Sequence, residues 1–203
     1  MRYYVSFLFC LYSISCICQS EVAYELIDTQ GDIKLYSKKD TKSGFIEYKA
    51  ELSSSRINFK DVLHIFSDYE NHNTWIYNCL ESKLLKRDSN EVYLYQTVKS
   101  TWPLKNRDYI LRFTVNEVTE THVDLRYEAA SHYIPDLNEY VRIEEMSGRW
   151  DVKTNGRATT VTMYGSFNPK LQIMPTIFQK KYVKLIPLST LNKLSEKLLS
   201  IQN

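Results

Sequence analysis

Between residues 81 and 167 the chain repeats one pattern: a short run rich in β-branched and aromatic side chains, then a cluster of turn-forming residues. The runs cover residues 81–86, 92–100, 107–118, 122–130, 140–153 and 158–167. Asp88-Ser89-Asn90, the stretch 103–106 and Asn155-Gly156 separate them, and each cluster has the chemistry of a tight reversal. Several runs alternate with the two-residue period of a half-buried strand. Leu111, Phe113 and Val115 fall on one face, and Val123, Leu125 and Tyr127 do likewise. Short connections between such strands imply antiparallel hairpins.

The flanks fix the class. Residues 33–36 and 45–52 read as two earlier strands; in the second, Phe45, Glu47, Lys49 and Glu51 alternate with Ile46, Tyr48, Ala50 and Leu52. Asn58 then offers a helix N-cap, and Phe59, Val62, Leu63, Phe66 and Tyr69 follow at helical spacing up to Asn71-His72-Asn73. After the meander, Met174, Ile177, Phe178, Tyr182 and Leu185 form an apolar stripe, which Leu188, Leu191, Leu194, Leu198 and Ile201 continue. Pro175 suits a first helical turn, and Pro187 is expected to kink the helix or start a second one. Strands, helix, meander and long terminal helix make an α+β layout, with helix packed on one concave sheet.

Arg2 is the only charge before Glu21, and the apolar run between them is too short for a comfortable membrane span. It reads as an export signal over residues 1–18, with a domain over 19–203 placed in the periplasm or outside the cell. Acylation at Cys16 or Cys18, or a retained N-terminal anchor, are the alternatives. Cleavage leaves Cys79 as a lone cysteine, unable to form an intramolecular disulfide. It also takes the 26 cations to 25 against 24 acids, a net of +1, which gives no electrostatic case for nucleic acid. A monomer is expected.

Four stretches, in order, resemble the START (steroidogenic acute regulatory related lipid transfer) family. Trp75 with Asn78 and Glu81 resembles its segment after the first helix. The run from Trp102 to Tyr109, containing Pro103, Arg107 and Asp108, resembles its P-x-x-x-R-D-F/Y turn and strand. Pro135 and the run Glu139-Tyr140-Val141-Arg142 resemble its P…Y-V-R loop and strand. Asn168 to Tyr182, with Pro169 and Pro175, resembles the approach to its final helix but lacks the family's glycines. The resemblance implies a helix-grip fold: a curved antiparallel sheet wrapped around a long C-terminal helix, enclosing a hydrophobic tunnel. It implies a non-enzymatic carrier or sensor of a lipid or sterol-like molecule, without a cofactor.

In sterol-carrying members of that family an acid and an arginine pair inside the tunnel, and Glu81 and Arg107 hold the matching positions. The alternative is a surface pair, or Arg107 bonded to Asp108 or to backbone. Trp102 and Trp150 are candidates for the tunnel wall, as is Trp75, with plain core packing as the other reading. Met174, Ile177, Phe178 and Tyr182 are candidates for its roof. Residues 131–139, with Tyr133, Ile134 and Leu137, are the candidate gate, able to dip transiently into a membrane; an ordinary loop is the alternative. Lys180, Lys181 and Lys184 form a solvated face or touch anionic lipid.

His64, His72, His122 and His132 show no metal spacing; His72 and His132 read as polar-loop residues. Glu144 and Glu145 are adjacent, so in a strand they point to opposite faces and cannot work as a pair. The competing function is an enzyme on the same architecture, like the helix-grip cyclases and aromatases of polyketides. It would need an acid or base deep in the pocket, from Glu81 or a tyrosine.

Overall fold

A computed structural model describes residues 24–38, 45–136, 138–171 and 176–201, and of 176–179 the backbone alone. The leader expected over residues 1–18, Leu137, Met174 and the side chains of Ile177 and Phe178 lie outside the described residues.

The strands are β1 (Tyr24–Gln30), β2 (Ile33–Lys38), β3 (Ile46–Ser54), β4 (Cys79–Arg87), β5 (Glu91–Val98), β6 (Arg107–Val118), β7 (His122–Ala129), β8 (Val141–Arg142), β9 (Met146–Thr154) and β10 (Thr159–Phe167). The helices are α1 (Phe59–Ser67), followed by a 3-10 helix (Tyr69–Thr74), and α2 (Thr176–Ser200). The strands build one sheet in the order β1-β2-β3-β10-β9-β7-β6-β5-β4. These neighbours are antiparallel, and β1 and β4 form the open edges. Off this path β8 pairs with β6 in parallel, Arg107 opposite Val141 and Asp108 opposite Arg142.

Local chemistry accounts for the elements. The Asn58 side chain accepts from the Lys60 amide at 2.8 Å and caps α1, whose Phe59, Val62, Ile65 and Phe66 are buried. Asp88 Oδ1 accepts from the amides of Asn90 and Glu91 to close the β4–β5 turn. Asn155 Oδ1 does the same for Arg157 and Ala158 between β9 and β10. In β3, Ile46, Tyr48, Ala50 and Leu52 face the core while Glu47, Lys49 and Glu51 are half-buried on the other face. The expected alternation is realised there.

Two differences from the sequence reading matter. The run 140–153 is two strands, because Glu144 and Glu145 fall in the break between β8 and β9. The terminal helix is a single one, α2, with Pro187 inside it. Its Leu188, Leu191, Leu194 and Leu198 are buried in the core, against β2 and β3. Register shifts in β1, β4 and β6 mark bulges, which bend strands and let a wide sheet curl around a helix.

Two glycines shape the sheet's interior. Gly148 of β9 and Gly165 of β10 sit directly opposite each other. The ring of Tyr48 lies over Gly165, where an added Cβ would come within 2.4 Å of it. The Tyr127 hydroxyl lies over Gly148, where the corresponding distance is 2.2 Å. Bare backbone at these positions lets both tyrosines lie flat against the sheet.

Candidate functional site

Side chains from β3, β5, β6, β7, β9 and β10 converge with α2 on one cavity of about 160 Å³. Ile46, Leu111, Phe113, Ile143, Met146 and Met163 make up part of its apolar wall. Tyr182, Ile186 and Thr190 come from α2. Thr190 Oγ1 accepts from the Tyr77 amide at 3.2 Å, fastening the helix to the turn before β4.

The inner end carries hydroxyls with no ionised partner. Tyr48 donates to Tyr127, and Tyr127 donates to the Tyr164 carbonyl at 3.0 Å. Burial pushes the hydroxyls of Tyr48, Tyr109 and Tyr127 well above the ordinary tyrosine range, so all three stay neutral. Gln96, also in the wall, donates to Ser82 Oγ at 2.9 Å and contacts His72 Nδ1 at 3.4 Å.

Arg107 dominates the outer end. It opens β6, is 6% exposed and borders the cavity. Its Nη1 donates to Ser100 Oγ at 3.1 Å and to the Lys105 carbonyl, and its Nη2 donates to the Pro169 carbonyl at 3.4 Å. Burial lowers its pKa from the ordinary arginine value. Around it lie the β5–β6 loop with Lys99, Ser100 and Leu104, the approach to α2 with Pro169 and Leu171, and Tyr182. Thr101 Oγ1 and the Tyr182 hydroxyl, 3.3 Å apart, link that loop to α2 across the mouth.

Asp108, one residue on, points the opposite way and is held by Arg142. The Arg142 Nε and Nη2 reach Asp108 Oδ1 and Oδ2 at 3.0 and 2.8 Å. Arg142 Nη1 donates to the carbonyls of Ser131 and Ile134, at 2.7 and 3.3 Å, and Nη2 reaches the Pro135 carbonyl at 3.4 Å.

The expected site residues therefore divide. Arg107, Trp150 and Tyr182 border the cavity. Glu81 is exposed on β4 and does not border it, so the pair with Arg107 does not form. A bulge between Cys79 and Glu81 breaks the two-residue alternation and turns Glu81 outward. Trp102 is 90% exposed in the β5–β6 loop and lines nothing. Trp75 packs in the core instead, stacked on Phe66 at 5.4 Å and edge-on to Trp150 at 5.7 Å.

The loop 131–136 is not at the mouth either. Tyr133 stacks on Tyr93 at 4.2 Å, and Tyr93 alternates with the cavity-facing Gln96 and Val98, so this contact is on the outer face of the sheet. Tyr133 and Ile134 are absent from the cavity wall because the β8–β6 pairing and Arg142 carry this loop around the outside. The segment at the mouth is the β5–β6 loop. The sequence signal for it was Trp102-Pro103-Leu104, apolar residues in a turn.

His72 is buried rather than a solvated loop residue. Its Nε2 bonds to the Phe66 carbonyl at 2.9 Å, and burial lowers its pKa to about 4. Cys79 is buried at the start of β4, and burial pushes its thiol up to about 12. Among the described residues no helix is long and apolar enough to cross a membrane.

No family model matches the sequence. An uncharacterised protein of Pseudomonas aeruginosa is 22% identical over 171 residues, 84% of each chain. A phosphatidylcholine transfer protein of Bos taurus is 27% identical over 161 residues, 76% of this chain and 74% of that one. Among solved structures, a STAR-related lipid transfer protein from Xanthomonas axonopodis superposes with a TM-score of 0.77 at 26% identity, over 86% of this chain and 98% of the other.

Proposed function

We propose that this chain, a START-type domain with the helix-grip fold, binds a hydrophobic molecule in the cavity under α2 and carries or senses it without converting it. The observation that carries this reading is the cavity itself: an apolar space between the sheet and α2, with a single buried guanidinium at one end. Such a shape takes an apolar chain out of water, at about 0.8 kcal/mol per buried CH₂, and keeps the polar end at the mouth.

The mouth suits loading from a bilayer. Trp102 and Leu104 are 90% and 39% exposed on the β5–β6 loop, beside the exposed Lys99 and Lys105. An indole at an interface with lysines around it is the pattern of a transient membrane contact. Parting the Thr101–Tyr182 contact would open the cavity toward that surface. The leader pattern in residues 1–18 supports action outside the cytoplasm.

Catalysis by the polyketide cyclase route has less support. The titratable side chains among the described lining residues are Lys99, Arg107 and five tyrosines; none is a carboxylate or a histidine. General acid–base chemistry near neutral pH needs a group that exchanges a proton there. The test is native and denaturing mass spectrometry of the purified protein, with organic extraction. A stoichiometric lipid or sterol released on denaturation supports the carrier reading. A protein that is empty and takes up no labelled sterol, fatty acid or phospholipid overturns it.

A further inference from the structure

Arg107 is a buried charge with neutral company. Its three acceptors are the Ser100 hydroxyl and the carbonyls of Lys105 and Pro169. Its natural counter-ion by sequence position, Glu81, is exposed on the far side of a bulge. No aspartate or glutamate stands among the described residues that border the cavity, whereas Lys99 and Arg107 both do. A guanidinium does not shed its proton in a protein, so desolvation cannot be relieved by neutralisation. A buried charge is tolerated when a partner of opposite sign meets it.

We infer that the ligand supplies that partner: the molecule bound in this cavity is an amphiphile whose head is an oxyanion, a carboxylate or a phosphate, seated on Arg107. This names the ligand class within the carrier reading and rests on it. The planar fork of Arg107 matches either oxyanion. The hydroxyls of Ser100 and Tyr182 and the ammonium of Lys99 stand around the same mouth. A head that also bears a cation, such as a phosphocholine, would find no carboxylate among these residues and would have to leave its cation in solvent.

The experiment displaces bound cis-parinaric acid from the purified protein with four ligands of one chain length: laurate, dodecyl phosphate, 1-dodecanol and dodecylphosphocholine. Laurate or dodecyl phosphate should compete at least ten-fold better than dodecanol, and the stronger of the two identifies the head as carboxylate or phosphate. In Arg107→Gln that advantage should fall to two-fold or less while dodecanol is unchanged, and Arg107→Lys should keep part of it. Equal competition by laurate, dodecyl phosphate and dodecanol in the unsubstituted protein overturns the inference but leaves the carrier reading intact. A better result for dodecylphosphocholine than for either anion also overturns it. Absence of any binding overturns both. The comparison in the unsubstituted protein decides the matter even if the variants fail to fold.

Discussion

Arg142 grips Asp108 through two parallel hydrogen bonds, at 3.0 and 2.8 Å, on the opposite side of β6 from the cavity. Because neighbouring residues in a strand face opposite ways, the Arg107-Asp108 dipeptide divides its charges. The arginine serves the cavity; the aspartate anchors β8 and the loop from Ser131 to Pro135. Both partners are almost fully buried, so removing one leaves the other uncompensated. Arg142→Leu is expected to destabilise the protein by about 3–5 kcal/mol in urea unfolding. A loss below 1 kcal/mol would show that the pair is solvated and does not pin the loop.

Gly148 and Gly165 are predicted to be intolerant of a methyl group. At Gly148 the added Cβ would meet the Tyr164 carbonyl at 2.2 Å as well as Tyr127, and backbone cannot step aside. Gly165→Ala, whose nearest clashes are all with the Tyr48 side chain, should cost about 1–3 kcal/mol, and Gly148→Ala more. Pairing Gly165→Ala with Tyr48→Leu should recover part of the loss. No recovery in thermal melts would mean that the strain lies in the backbone.

His72 ties stability to pH. Its folded pKa, about 4, lies below the unfolded value of 6.5, because burial penalises the charged ring. The unfolded chain therefore binds more protons between these values. The stability linked to neutral His72 is present above pH 6.5 and is lost as pH falls toward 4, by roughly 3 kcal/mol in all. His72→Gln should flatten the stability profile over that window, measured by unfolding at pH 7.5, 5.5 and 4.5. Parallel profiles for the two proteins would contradict the assignment.

Cys79 should be inert while the protein is folded. Its thiol is pushed up to about 12 by burial, so thiolate is scarce at neutral pH. A thiol reagent at pH 8 should react in urea and hardly at all without it; rapid labelling of the native protein would place Cys79 at the surface.

Much of the fold was legible because it rests on local rules. The β3 alternation, the Asn58 cap, the turns at Asp88 and Asn155 and the leucines of α2 each follow from spacing or side-chain reach. The site was less legible. Glu81 reads as an inward partner for Arg107, but a bulge shifts parity by one residue and leaves no mark in the sequence. Trp102 reads as a wall residue until the β5–β6 loop is seen to project it into solvent. The loop 131–136 reads as a gate, but a parallel pairing between β6 and β8, remote in sequence, draws it to the outer face. Tyr48 and Tyr127 were hidden for the same reason: their places depend on cross-strand glycines.

A ligand seated under α2 would be seen by methyl NMR. Met146 and Met163 both border the cavity, so their methyl groups report on its contents. Titration with laurate should shift both resonances together and saturate at one equivalent. Binding that saturates while both methyls stay unmoved would place the ligand outside the cavity under α2.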